Sequence, residues 1–69
     1  MASDVLTANG KKVQVNLPCS IHDFLVSQNL LPRSVVVEHN GEAVAPSEFN
    51  TRSLTSGDRV EVVQIVAGG

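Results

Sequence analysis

The chain has 69 residues, 42% of them hydrophobic and 17% charged, which bounds it to one globular domain with a single core. Two Phe, no Tyr and no Trp leave an aliphatic interior and almost no aromatic surface on which bases stack. Five basic residues against seven acidic ones give a net charge of -2, so no basic field exists for a phosphate backbone or an anionic membrane, and the expected partners are proteins.

Residues 5–8 lean apolar and lead into Asn9-Gly10, the dipeptide that best tolerates the positive φ angles of a tight hairpin turn. After Lys11-Lys12, Val13, Val15 and Leu17 alternate with polar residues, which predicts a half-buried strand closing the hairpin. Pro18 stops that strand, and Ser20 is placed to cap a helix, with Asp23 near the positive end of its dipole. Ile21, Phe24 and Leu25 share one helical face, and Asn29 and Pro32 supply stop signals, so the helix should run roughly three turns. Three consecutive valines, Val35, Val36 and Val37, read as a strand buried on both sides or in the middle of a sheet.

Asn40-Gly41 turns the chain again, and Val44 belongs to a short edge piece limited by Pro46. Ser47 and Phe49 suggest a single helical turn with one anchoring aromatic. Ser56-Gly57-Asp58 launches residues 59–66, the longest strand signal in the chain. Val60 and Val62 should point into the core, and the two-residue period then sends Val63 and Ile65 to the opposite face, where a monomer normally places polar groups. That apolar outer patch is a candidate partner surface. Residues 1–66 form the folded domain, and residues 67–69, Ala67-Gly68-Gly69, are read as a flexible reactive tail. The order of elements predicts an α+β fold, with one main helix on one face of a mixed sheet of four to five strands.

Chemistry concentrates at the tail. The Gly69 carboxylate is the one reactive group on an arm free of side chains, and an arm without Cβ atoms enters a narrow tunnel. A carboxylate is ionised at neutral pH and resists nucleophilic attack until coupling to AMP turns it into a mixed anhydride with a good leaving group. Attack by a persulfide or thiol then gives a thiocarboxylate or a thioester. Two terminal glycines in isolation read equally well as a frayed end, but a strand running straight into them holds the arm at a fixed exit.

Val35-Val36-Val37-Glu38-His39-Asn40-Gly41-Glu42-Ala43-Val44, then Leu54, Gly57-Asp58-Arg59-Val60-Glu61-Val62-Val63 and Ile65-Val66-Ala67-Gly68-Gly69, resemble the ThiS family of thiamine-biosynthesis sulfur carriers within the ubiquitin-like β-grasp superfamily. The resemblance runs from about Val5 to Gly69. It implies a β-grasp fold and a carrier that is a substrate, not an enzyme, with no bound cofactor. It further implies ATP-dependent adenylylation of Gly69 by an E1-like adenylyltransferase of ThiF type, and sulfur from a cysteine desulfurase giving a covalent thiocarboxylate at Gly69. Delivery would be to a thiazole synthase of ThiG type. By the same analogy Val63 and Ile65 belong to the surface that docks on the activating enzyme, and the carrier is a monomer when free.

Alternatives with the same tail are a sulfur carrier for molybdopterin or tRNA thiolation, a ubiquitin-like modifier, and a β-grasp interaction module whose tail is inert. Cys19, His22 and His39 are not signatures of the family. One Cys and two His fall short of the four ligands of a structural zinc site, and the only cysteine cannot form an internal disulfide. A packed Cys19 and an exposed His22 are expected, with Lys11 and Lys12 solvated in their turn, Asp58 a turn former and Glu61 facing solvent. Met1-Ala2-Ser3-Asp4 has no positive or apolar leader region and no apolar run spans a bilayer, so a cytoplasmic location is expected, or that of the mature form of an imported protein.

Overall fold

A computed structural model describes residues 4–65. The tail residues Ala67, Gly68 and Gly69 therefore lie outside the described residues, as does Val66. Two Asn-Gly turns set the register of the main sheet. Asn9 and Gly10 take φ of 51° and 81°, and Asn40 and Gly41 take 52° and 85°. Positive φ at both central residues is what a two-residue hairpin needs to match the right-handed twist of its strands. The first turn joins β1 (Val5–Ala8) to β2 (Lys11–Gln14), and the second joins β4 (Val35–His39) to β5 (Glu42–Val44).

Between the hairpins lie β3 (Cys19–Ser20) and helix α1 (Ile21–Ser27). Ser20 caps α1 as its sequence position predicts, its Oγ accepting from the Asp23 backbone N–H at 3.0 Å. The far end closes on Asn29 at φ 62°, with Leu30 N–H donating to Leu25 O and Asn29 N–H to Val26 O. This paired closure halts α1 after seven residues, two turns rather than the three expected from sequence. A second short strand, β6 (Ser53–Leu54), pairs antiparallel with β3 to make a two-residue ribbon that the sequence pattern does not reveal. The chain ends its described part in β7 (Arg59–Gln64).

The main sheet runs β2-β1-β7-β4-β5. β7 lies parallel to β1 and antiparallel to β4, so the sheet is mixed as expected. Ile21, Phe24 and Leu25 of α1 pack onto the face formed by Leu6, Val35, Val37, Val44 and Val60, and Phe49 and Leu54 close the core from the ribbon side. Phe49 follows the single turn Pro46–Glu48 and is the anchoring aromatic. β4 lies inside the sheet, between β7 and β5, as one of its two expected settings had it, but burial of all three valines does not hold, because Val35 and Val37 are buried while Val36 is 51% exposed. The helix covers one face only, so the three valines alternate between core and solvent instead of being buried on both sides.

Candidate functional site

β7 runs toward the tail. Its residues alternate as predicted: Val60 is fully buried and Val62 half-buried, while Val63 is 64% and Ile65 52% exposed. Backbone pairing continues past the strand's last residue, because Ile65 N–H donates to Ser34 O at 2.8 Å. The chain is thus held to the sheet through Ile65, and four residues follow it to Gly69. Fully extended, four residues reach about 14 Å at most.

Register adds a residue that the sequence reading missed. Val36 sits directly opposite Val63 on the same solvent-facing side of the sheet. Val36, Val63 and Ile65 together make an apolar patch at the end of β7. The signal for Val36 was available in Glu38, two residues away and so on the same strand face. Beyond the valines on that face, Glu38 stands opposite Glu61, and further on Thr7 lies between Arg59 and Lys12.

A second cluster surrounds His39. It is only 8% exposed, at the inward-facing end of β4. Its Nε2 donates to Asp58 Oδ2 at 2.8 Å, and Arg52 Nε–H donates to its Nδ1 at 3.0 Å. A guanidinium N–H cannot accept, so Nδ1 is the acceptor and the ring proton rests on Nε2. Asp58 also accepts from Thr55 N–H at 2.9 Å and from Asn40 Nδ2 at 3.2 Å. Burial pushes the Asp58 carboxyl up, but the hydrogen bonds from Thr55, His39 and Asn40 outweigh it and hold the pKa down at about 2. Arg52 reaches on to Glu48 at 3.2 Å and to Glu42, and its hydrogen bond is the main reason the Glu42 carboxyl is lowered.

Carboxylate, imidazole and guanidinium in line have the look of a catalytic relay. Both ring nitrogens of His39 are already committed, however, so neither is free to take a proton from a substrate. The cluster instead ties the β4–β5 turn, the turn before β7 and the strap carrying Arg52 into one unit. Asp58 is therefore the turn former expected, with a buried partner that the sequence did not disclose.

Cys19 is half-buried at the helix entry, as expected. Burial, and then the charge of Asp23, raise its thiol pKa, the reverse of what an activated nucleophile requires. His22 is partly exposed and lies 3.7 Å from Asp23. Among the described residues no three His, Cys, Asp or Glu side chains gather to hold a metal ion. A cleft of about 430 Å³ beside Cys19 is lined by Asn16, Asp23, Ser27 and Gln28, and no unpartnered buried side-chain N or O occurs among the described residues. No helix among the described residues is long and apolar enough to cross a membrane.

Comparison with known proteins places these features in a family. The model of the ThiS family matches residues 3–69, through the terminal glycine. The sulfur carrier protein ThiS of Bacillus subtilis (strain 168) is 33% identical over 66 residues, covering 94% of this chain and all of the relative. A crystal structure of the thiamine biosynthesis protein ThiS from Geobacter metallireducens superposes with a TM-score of 0.81 at 29% identity, over 94% of this chain and 99% of that one. A solution structure of a thiamine biosynthesis protein from the same organism gives 0.78 at 29% identity, over 94% and 87%. The five-stranded sheet with its single helix is the ubiquitin-like β-grasp arrangement of these structures.

Proposed function

The chain belongs to the ThiS family and is a sulfur carrier of thiamine biosynthesis, and we propose that the carboxylate of Gly69 is the group that carries the sulfur. The carboxylate attacks the α-phosphorus of ATP, pyrophosphate leaves, and the acyl adenylate is the activated form. A persulfide sulfur then attacks the acyl carbon and expels AMP. Cleavage of the resulting acyl disulfide by a thiol leaves the thiocarboxylate on Gly69. In this scheme the chain is a carrier and substrate, ATP belongs to the activating enzyme, and no cofactor is held by the carrier itself.

The observation that carries this reading is the match of the family through Gly69, joined to a strand that stays hydrogen-bonded through Ile65 and so delivers the last four residues from a fixed point. Gly68 and Ala67 complete a slim arm with at most one methyl side chain. The partners are an E1-like adenylyltransferase of ThiF type, a cysteine desulfurase as sulfur source and a thiazole synthase of ThiG type. Val63 and Ile65, with Val36 beside them, form the surface that docks on the adenylyltransferase. Exposed aliphatic side chains of this kind stabilise nothing in the free monomer, whereas covering them removes apolar area from water at about 25 cal/mol per Å².

Deleting Gly69 tests the assignment. The truncated chain should fold with an unchanged denaturation midpoint, yet fail to support thiazole formation in a reconstituted mixture of adenylyltransferase, desulfurase, ATP and thiazole synthase. Full activity of the truncated chain would mean that the sulfur travels elsewhere.

A further inference from the structure

The seven acidic side chains of this protein divide unevenly between those with partners and those without. Asp4 accepts from Leu17 N–H, Asp23 faces His22, Glu42 and Glu48 pair with Arg52, and Asp58 pairs with His39. The remaining two are Glu38 and Glu61. Neither makes an ion pair or a side-chain hydrogen bond among the described residues, both are exposed, and the β4–β7 register sets them directly opposite one another. Opposed like charges destabilise a strand pair, so the fold itself gains nothing from this arrangement.

Their position gives them another use. The neighbouring cross-strand pair on the same face is Val36 with Val63, and Ile65 follows toward the tail. From the tail outward the face is graded from aliphatic, through the two carboxylates, to Arg59 and Lys12 flanking Thr7 at the far end. Resting on the reading of Gly69 as the adenylylated group, we propose that Glu38 and Glu61 select the activating enzyme by reading at least one Lys or Arg side chain that borders the apolar centre of its docking surface. Charge complementarity of this sort speeds encounter and rejects wrong partners.

The test compares wild type with E38Q/E61Q and E38K/E61K for binding to the cognate adenylyltransferase by titration calorimetry. Urea denaturation runs alongside, and E38Q/E61Q should be at least as stable as wild type. At an ionic strength of about 50 mM the Gln variant should bind about tenfold more weakly and the Lys variant more weakly still, with the gap closing at about 500 mM. At saturating concentration the Gln variant should still be converted to the thiocarboxylate. Equal affinity and equal salt dependence for wild type and E38Q/E61Q would overturn the selection role while leaving Gly69 as the carrier group. A wild-type chain that binds the enzyme but is never adenylylated would instead overturn the reading of Gly69.

Discussion

Replacing Asp58 by Asn should destabilise the fold in a way that depends on pH. The carboxylate accepts from Thr55 N–H, Thr55 Oγ1, His39 Nε2 and Asn40 Nδ2 at 2.8 to 3.3 Å. An amide offers only one oxygen, and its NH₂ would face a donor whichever way it turned. A carboxyl whose pKa falls from 3.8 to about 2 on folding stabilises the folded state by roughly 2 kcal/mol at neutral pH. Solvent screening at a turn reduces this to about 1 to 2 kcal/mol.

Because the folded pKa is depressed, the contribution is complete above about pH 4 and disappears as the pH falls through about 2. Urea denaturation of wild type and Asp58→Asn across that range should therefore show a stability gap at pH 7 that shrinks toward zero near pH 2. In a domain of this length the gap corresponds to a drop in Tm of about 5 to 15 °C. A gap that stays constant from pH 7 to pH 2, or a variant as stable as wild type at pH 7, would refute the account of the His39 cluster.

Three further outcomes follow from packing, capping and the exposed face. Leu54→Ala empties a fully buried position where the β3–β6 ribbon meets the core and should remove about 2 to 5 kcal/mol by chemical denaturation, enough to leave so small a domain partly unfolded. Ser20→Ala takes away the acceptor of the Asp23 N–H and should lower stability by about 1 kcal/mol, with the loss visible as fraying of the first helical turn in amide exchange. Val63→Asp alters an exposed side chain, so stability should change by less than about 1 kcal/mol. The kcat/KM of adenylylation should nevertheless fall about tenfold or more, and an unchanged value would remove Val63 from the docking surface.

Local chemistry was legible in the sequence and long-range pairing was not. The Asn9-Gly10 and Asn40-Gly41 turns, the Ser20 cap and the alternation along β7 each depend on residues within a few positions of one another and stand where the sequence placed them, although β2 takes in Lys11 and Lys12, expected in the turn, and ends at Gln14 instead of Leu17. The β3–β6 ribbon joins Cys19 to Leu54 through two residues per strand, too short for any periodic signal. His39 lies 13 positions from Arg52 and 19 from Asp58, so the register of β4 with β7 is needed to bring Asp58 to it, and the backbone hydrogen bonds of Arg52 with Glu48 and Ile21 to bring the guanidinium. Val36 was misread because a run of β-branched residues has no period of its own, and the side of the sheet it faces is set by which face α1 covers.

Reaction of the intact carrier tests the central claim most directly. Incubation with the cognate adenylyltransferase, ATP, cysteine and a cysteine desulfurase, followed by intact-mass and C-terminal fragment analysis, should show one oxygen-to-sulfur exchange located on Gly69. The exchange should require ATP. A mass that never changes, or sulfur found on Cys19 instead of the terminal carboxylate, would contradict the assignment of Gly69 as the group that carries sulfur.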